Sequence, residues 1–183
     1  MTFKIAVIIG SLRQASFNRQ LAAALTRLGP DDVSFTQLPI DDLPLYNQDD
    51  DQHPAAPVVR FKQQVAASDG VLFVTPEYNR SVPGVLKNAI DHASRPYGHS
   101  VWAGKPAGIV GVSPGKVGTA NAQQHLRTIL AYLDMPTLGQ PEAYLQWTDK
   151  LVDESGDIGP ESREFLQGWM DRFADWVRTH TKS

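Results

Sequence analysis

Ile5-Ala6-Val7-Ile8-Ile9-Gly10-Ser11-Leu12-Arg13-Gln14-Ala15-Ser16-Phe17-Asn18 is the stretch from which the architecture of this chain can be read. Five apolar residues in a row, four of them β-branched, read as a strand covered on both faces. Gly10 halts the run. Ser16 is a natural N-cap, and beyond it Leu21, Leu25 and Leu28 fall on one helical face. A buried strand, a Gly/Ser loop and an amphipathic helix form half of a βαβ unit.

The rest of the chain repeats that unit. Val71–Val74 and Ile109–Val112 are two further continuous apolar runs, expected beside the first in the centre of a sheet. Val33–Thr36 alternates and suits an edge strand, and Ala143–Trp147 is the expected last strand. Between them lie helical faces: Val58, Phe61 and Val65; Leu86, Ala89, Ile90 and Ala93; Leu126, Ile129, Leu130 and Leu133. A final aromatic stripe, Phe165, Trp169, Phe173 and Trp176, reads as core packing, with a subunit contact as the lesser alternative. Five strands interleaved with five helices predict an α/β three-layer sandwich, a five-stranded parallel sheet of order 2-1-3-4-5, with residues 1–183 as one domain.

Composition narrows the function. The chain has 183 residues, a net charge of −3 and no cysteine. Thiol catalysis, disulfides and Cys-ligated metals are excluded, so any redox chemistry needs a borrowed cofactor. The acidic balance disfavours nucleic acid and anionic membranes as partners. No run approaches the roughly 20 apolar residues of a membrane span, and Ile5–Ile9 is short for a signal peptide, so a cytoplasmic protein is expected. The five histidines show no ligand spacing, and no metal site is expected.

Open parallel sheets bind ligands outside the carboxyl ends of their strands, where the strand order reverses. That places the chemistry in Gly10–Asn18, Thr75–Gly84 and Ser113–Asn121. In the first loop, Ser11, Ser16 and Asn18 are short polar donors, Arg13 adds a guanidinium, and a helix N-terminus follows. Residues 1–30 hold no Asp or Glu, which leaves the first turn free for an anion, although a well-capped helix without a ligand would read the same way. The pattern is neither a P-loop nor a G-x-G-x-x-G fingerprint. In the second loop Pro76 and Pro83 stiffen the ends, Gly84 permits the turn into a helix, Tyr78 offers a flat wall and Asn79 a donor and acceptor. In the third, Gly115 and Gly118 permit close backbone approach and Ser113 can meet a ligand's far edge, and a turn without a ligand fits equally well.

Taken together, Gly10-Ser11-Leu12-Arg13 with Ser16 and Asn18, then Pro76-Glu77-Tyr78-Asn79, Ser81-Val82-Pro83-Gly84, Leu86-Lys87-Asn88-Ala89, Asp91, Ser94-Arg95 and Ser113-Pro114-Gly115 resemble the NADPH-dependent FMN reductase family. These are flavodoxin-like proteins that include quinone, azo and chromate reductases. The resemblance spans roughly residues 3–135. It implies non-covalent FMN, with its phosphate in Ser11, Leu12, Arg13, Ser16, Phe17 and Asn18. The ring would lie against Pro76, Glu77, Tyr78 and Asn79, with Ser113 and Gly115 at its rim. It implies NAD(P)H as co-substrate, electrons passed to quinones, azo compounds, metal oxyanions or free flavin, and a homodimer or homotetramer with Val85–Arg95 as a contact element. No side chain is assigned as a catalytic acid or base, because the flavin carries the hydride chemistry. A flavodoxin-type electron carrier without turnover is the alternative. The acidic segment Asp41–Pro57 is expected mainly as a solvated loop, or as a wall over the site.

Overall fold

The computed structural model describes residues 2–181. Strands and helices alternate along it: β1 (Phe3–Ile9), α1 (Phe17–Thr26), β2 (Val33–Gln37), α2 (Ala56–Ala66), β3 (Gly70–Val74), α3 (Gly84–Ser94), β4 (Ala107–Ser113), α4 (Ala120–Tyr132), β5 (Tyr144–Gln146) and α5 (Pro160–His180). All neighbouring strands pair in parallel, in the order β2-β1-β3-β4-β5. The three continuous apolar runs are the three central strands, and the alternating one is an edge, as their patterns predict.

Successive strand residues face opposite layers. Ile5, Val7 and Ile9 pack with Leu21 and Leu25 of α1 and with Trp169, Phe173 and Val177 of α5. Ala6 and Ile8, with Val71 and Phe73, pack against Phe61 and Val65 of α2, Leu86 and Ile90 of α3, and Leu126 and Leu130 of α4. Two helices therefore cover one face of the sheet and three the other.

Some expectations need correction. Phe165 is 44% exposed and stands off the aromatic stripe, whereas Trp169 and Phe173 are buried and Trp176 is half-buried, donating its indole N–H to Pro136. Leu28 is buried but lies beyond the end of α1. Ile129 is only half-buried on α4. The last strand is three residues long, with Ala143 and Trp147 just outside it.

Asp41–Pro57 is not a free loop. Asn88 of α3 accepts from the Tyr46 N–H and donates to the Pro44 carbonyl, both at 2.8 Å, and His92 Nε2 lies 2.8 Å from the same carbonyl. Arg95 donates to the Tyr46 hydroxyl and pairs with Asp51 at 3.4 Å. The segment is a strap bound along α3, even though most of its outer residues are exposed.

The loops after β1 and β3 start side by side. The Gly10 N–H donates to Val74 at 2.9 Å, and the Thr75 N–H to Val110 at 3.0 Å. A Cβ on Gly10 would come within 2.7 Å of Thr75 Oγ1, so glycine is what permits this approach.

Candidate functional site

The first loop delivers a bare helix end. Ser16 caps α1, its Oγ accepting from the Arg19 N–H at 3.3 Å. The N–H groups ahead of it, on Phe17 and Asn18, have no acceptor among the described residues, and the first turn carries no acid. Ser11 and Ser16 are buried, while Leu12 and Arg13 are exposed. Arg13 makes no ion pair among the described residues; its guanidinium lies 5.2 Å from the centre of the Phe17 ring. Free N–H donors, a helix dipole and a guanidinium with no ion pair among the described residues are chemistry that suits an anion.

Asn18 departs from expectation. Its Nδ2 donates to the Val112 carbonyl at 2.9 Å and its Oδ1 accepts from the Val112 N–H at 3.0 Å. The reason is topological. β3 pairs with β4 only as far as Val74 opposite Val110, so β4 runs on without a strand on that side. The Asn18 amide stands in for that strand, and only its backbone N–H is left to face an anion.

The second loop is a two-residue hairpin. Tyr78 and Ser81 exchange backbone hydrogen bonds of 3.1 and 3.0 Å, and both Asn79 and Arg80 have positive φ, 51° and 63°. Asn79-Arg80 makes the hairpin turn, and Gly84 opens α3, the turn into a helix expected there. Two contacts from α4 hold the hairpin. The Glu77 carboxylate accepts from the Ala122 N–H at 3.0 Å and from the Asn121 amide at 3.2 Å, capping a helix that has no side-chain cap of its own. Ser81 Oγ lies 2.9 Å from His125 Nδ1. Burial alone would raise the Glu77 carboxyl, but the α4 donors and Arg80 more than offset it, and it sits below its ordinary value. Pro76 is buried beneath, and Tyr78 and Asn79 are exposed.

In the third loop Ser113 donates to the Gly118 and Gly115 carbonyls at 2.5 and 3.2 Å, so it can offer a ligand only its lone pairs. The close approach at Gly118 is made to the backbone of β5, not to the open site: a Cβ there would lie 2.8 Å from Leu145 N. Gly115 is exposed and unobstructed. Each loop also presents one exposed apolar side chain at this end of the sheet: Leu12 at 44%, Tyr78 at 52% and Val117 at 50%.

An anion cradle beside apolar, flat-walled loops suits a phosphorylated planar heterocycle, and the comparisons with known proteins agree. Residues 3–148 match the family described as NADPH-dependent FMN reductase. The chain belongs to that family. It is 55% identical to the 2-hydroxy-1,4-benzoquinone reductase of a Burkholderia species, over 97% of this chain and 98% of that protein. It is 50% identical to a quinone reductase of Pseudomonas putida, over 96% and 95%. Among solved structures, the FerB flavoenzyme NAD(P)H:(acceptor) oxidoreductase of Paracoccus denitrificans superposes with a TM-score of 0.95 at 43% identity, covering 99% of this chain and all of that one.

As a member of the FMN reductase family, the protein is an NAD(P)H-dependent flavin oxidoreductase, and its own residues fit FMN. Bare N–H groups and Arg13 suit the phosphate; the three apolar side chains suit the ring. Sequence reasoning missed Trp147, whose ring stacks on Phe17 at 4.3 Å and 20° and whose backbone N–H donates to the Ser113 carbonyl at 2.8 Å. It also missed the α4 anchors of the hairpin, Asn121 and His125. Among the described residues no group of His, Asp and Glu is placed to hold a metal, and no helix is long and apolar enough to cross a membrane.

Proposed function

We propose that the protein is a quinone reductase, transferring two electrons from NAD(P)H to quinones, ring-hydroxylated benzoquinones among them. The observation that carries this is the pairing of free N–H donors at the start of α1 with three exposed apolar side chains, Leu12, Tyr78 and Val117, on the loops at the same end of the sheet. Such a shallow, flat-walled site receives planar acceptors. Bound FMN supplies hydride transfer; overall, NAD(P)H, a proton and the quinone give NAD(P)⁺ and the hydroquinone.

The residues' roles are binding and orientation. The N–H groups of Phe17 and Asn18, with Ser11, Ser16 and Arg13, hold the phosphate. Leu12 borders the cradle. Pro76, Glu77, Tyr78 and Asn79 hold the ring's plane, with Ser113 and Gly115 at its rim. No side chain is assigned as a general acid or base. We further read residues 1–183 as one cytoplasmic domain that self-associates as a homodimer or homotetramer through Val85–Arg95 and the strap. Leu45 and Tyr97, 86% and 82% exposed beside that helix, support the contact.

The test is the visible spectrum of the purified protein. Bound flavin should bleach on anaerobic NADPH and recover on one equivalent of a benzoquinone. Colourless protein that takes up no FMN would remove the cofactor site. Bleaching without quinone turnover would instead favour an electron carrier. Light scattering that reports a monomer at micromolar concentration would exclude the subunit contact.

A further inference from the structure

We propose that Trp147 is a positioning residue that fixes Arg13, through Phe17, at the phosphate end of the cofactor site. This rests on the reading of Ser11–Asn18 as a phosphate cradle.

Arg13 sits in an exposed loop and has no carboxylate partner among the described residues. A long side chain in that setting samples many rotamers, and binding a phosphate would have to restrict them. The structure already restricts them. The guanidinium packs on one ring, Phe17, at 5.2 Å from its centroid. Phe17 is in turn stacked on Trp147 at 4.3 Å. Both interactions are favourable for aromatic and cationic partners.

Trp147 is itself held from another direction. Its N–H donates to the Ser113 carbonyl at 2.8 Å, just past β5, where Gln146 is in register with Ser113. One residue is thereby tied by its backbone to the rim loop after β4 and by its ring to the loop after β1. Phe17 is also the first residue of α1, but the helix end is held independently of the stack, by the Ser16 cap and by the Asn18 side chain on Val112. None of this needs Trp147 to touch the cofactor, so its effect should be confined to the phosphate.

The test compares FMN with riboflavin, which has the ring and ribityl chain but no phosphate, in titrations of the flavin-stripped chain. Trp147→Leu should weaken FMN by about three- to tenfold, the factor that loss of a stacking pair implies. Riboflavin affinity should stay within about twofold, and Trp147→Phe should recover most of the loss. In an Arg13→Ala background, Trp147→Leu should cost little more, because the group it positions is gone. Equal losses for FMN and riboflavin, or full additivity with Arg13→Ala, would overturn the proposal. So would unchanged FMN affinity in the Leu variant. Should Trp147→Leu fold poorly, Phe17→Leu, which breaks the same relay, takes its place with the same expectations: weaker FMN, riboflavin within about twofold, and little further loss in the Arg13→Ala background. A wild-type chain that binds riboflavin and FMN equally well would instead overturn the phosphate cradle itself.

Discussion

The loops after β1 and β3 begin side by side, yet they treat their polar groups in opposite ways. The first leaves donors unused: the N–H groups of Phe17 and Asn18 and the guanidinium of Arg13. The second uses its own. Glu77 caps α4, Ser81 meets His125, and Tyr78 and Ser81 close the hairpin on each other. On the reading proposed above, one loop binds by charge and hydrogen bonds and the other is a shaped wall. Substitutions in the first should therefore show in affinity, and those in the second in stability and ring binding. Asn18 is the exception, since it lies on the first loop's helix but works for the scaffold.

That exception gives the largest expected effect. Asn18→Leu leaves the Val112 N–H and carbonyl, in a residue only 1% exposed, without their partners. Two buried unpaired groups should cost about 2–4 kcal/mol, lowering Tm by roughly 5–15 °C in a chain of this size. FMN affinity of the folded fraction should change far less. A variant with normal Tm and lost FMN binding would return Asn18 to the phosphate. Next comes Arg13→Ala, where the loss should be all affinity: about tenfold to a hundredfold weaker FMN binding, with the apoprotein's Tm unchanged. An unchanged dissociation constant in a folded variant would remove Arg13 from the site.

What could be read in the sequence follows the range of the interactions. Strand order, the two covered faces and the Ser16 cap rest on spacings of a few residues, and each is found where the pattern put it. The absence of acids before residue 31 is equally local. Asn18 with Val112 is a contact across 94 positions, and Glu77 with Ala122 across 45. No local pattern reports such pairs, and Asn18 in particular is indistinguishable from a ligand until β4 is seen to outrun β3. The hairpin had a usable signal, because Asn favours positive φ at the start of a type I′ turn. Pro83-Gly84, by contrast, is legible as the entry to a helix, and it opens α3.

Glu77 tests the wall. Its carboxyl lies below the ordinary glutamate value of 4.5, with burial outweighed by the α4 N–H donors. A depressed folded value contributes stability that is complete above the unfolded pKa and is lost as pH falls through the folded one. Ring binding, read with riboflavin, should hold at neutral pH and weaken as pH drops below 4.5. Glu77→Gln keeps the shape but removes the charge. It should cost about 1–2 kcal/mol at pH 7 and flatten the acid limb. An acid limb that survives unaltered in the Gln variant would assign it to other groups.

The smallest effect should be a gain. Arg80 holds φ at 63°, a conformation in which a side chain's Cβ crowds the following carbonyl and glycine does not. Relief of that strain in Arg80→Gly is worth about 1–2 kcal/mol. The greater freedom of glycine in the unfolded chain takes back about 0.5–1 kcal/mol. Among the described residues the only ion pair lost is to Glu77 at 3.5 Å, and the arginine side chain is 73% exposed, so that pair contributes little. The balance is a stabilisation of about 0.5–1 kcal/mol, a rise in Tm of roughly 1–4 °C. Because Tyr78 and Ser81 keep their backbone bonds, riboflavin affinity should not change. A fall in Tm would mean that Arg80 supports the hairpin through a contact stronger than its exposure allows, and the wall would then depend on charge after all, as the first loop does.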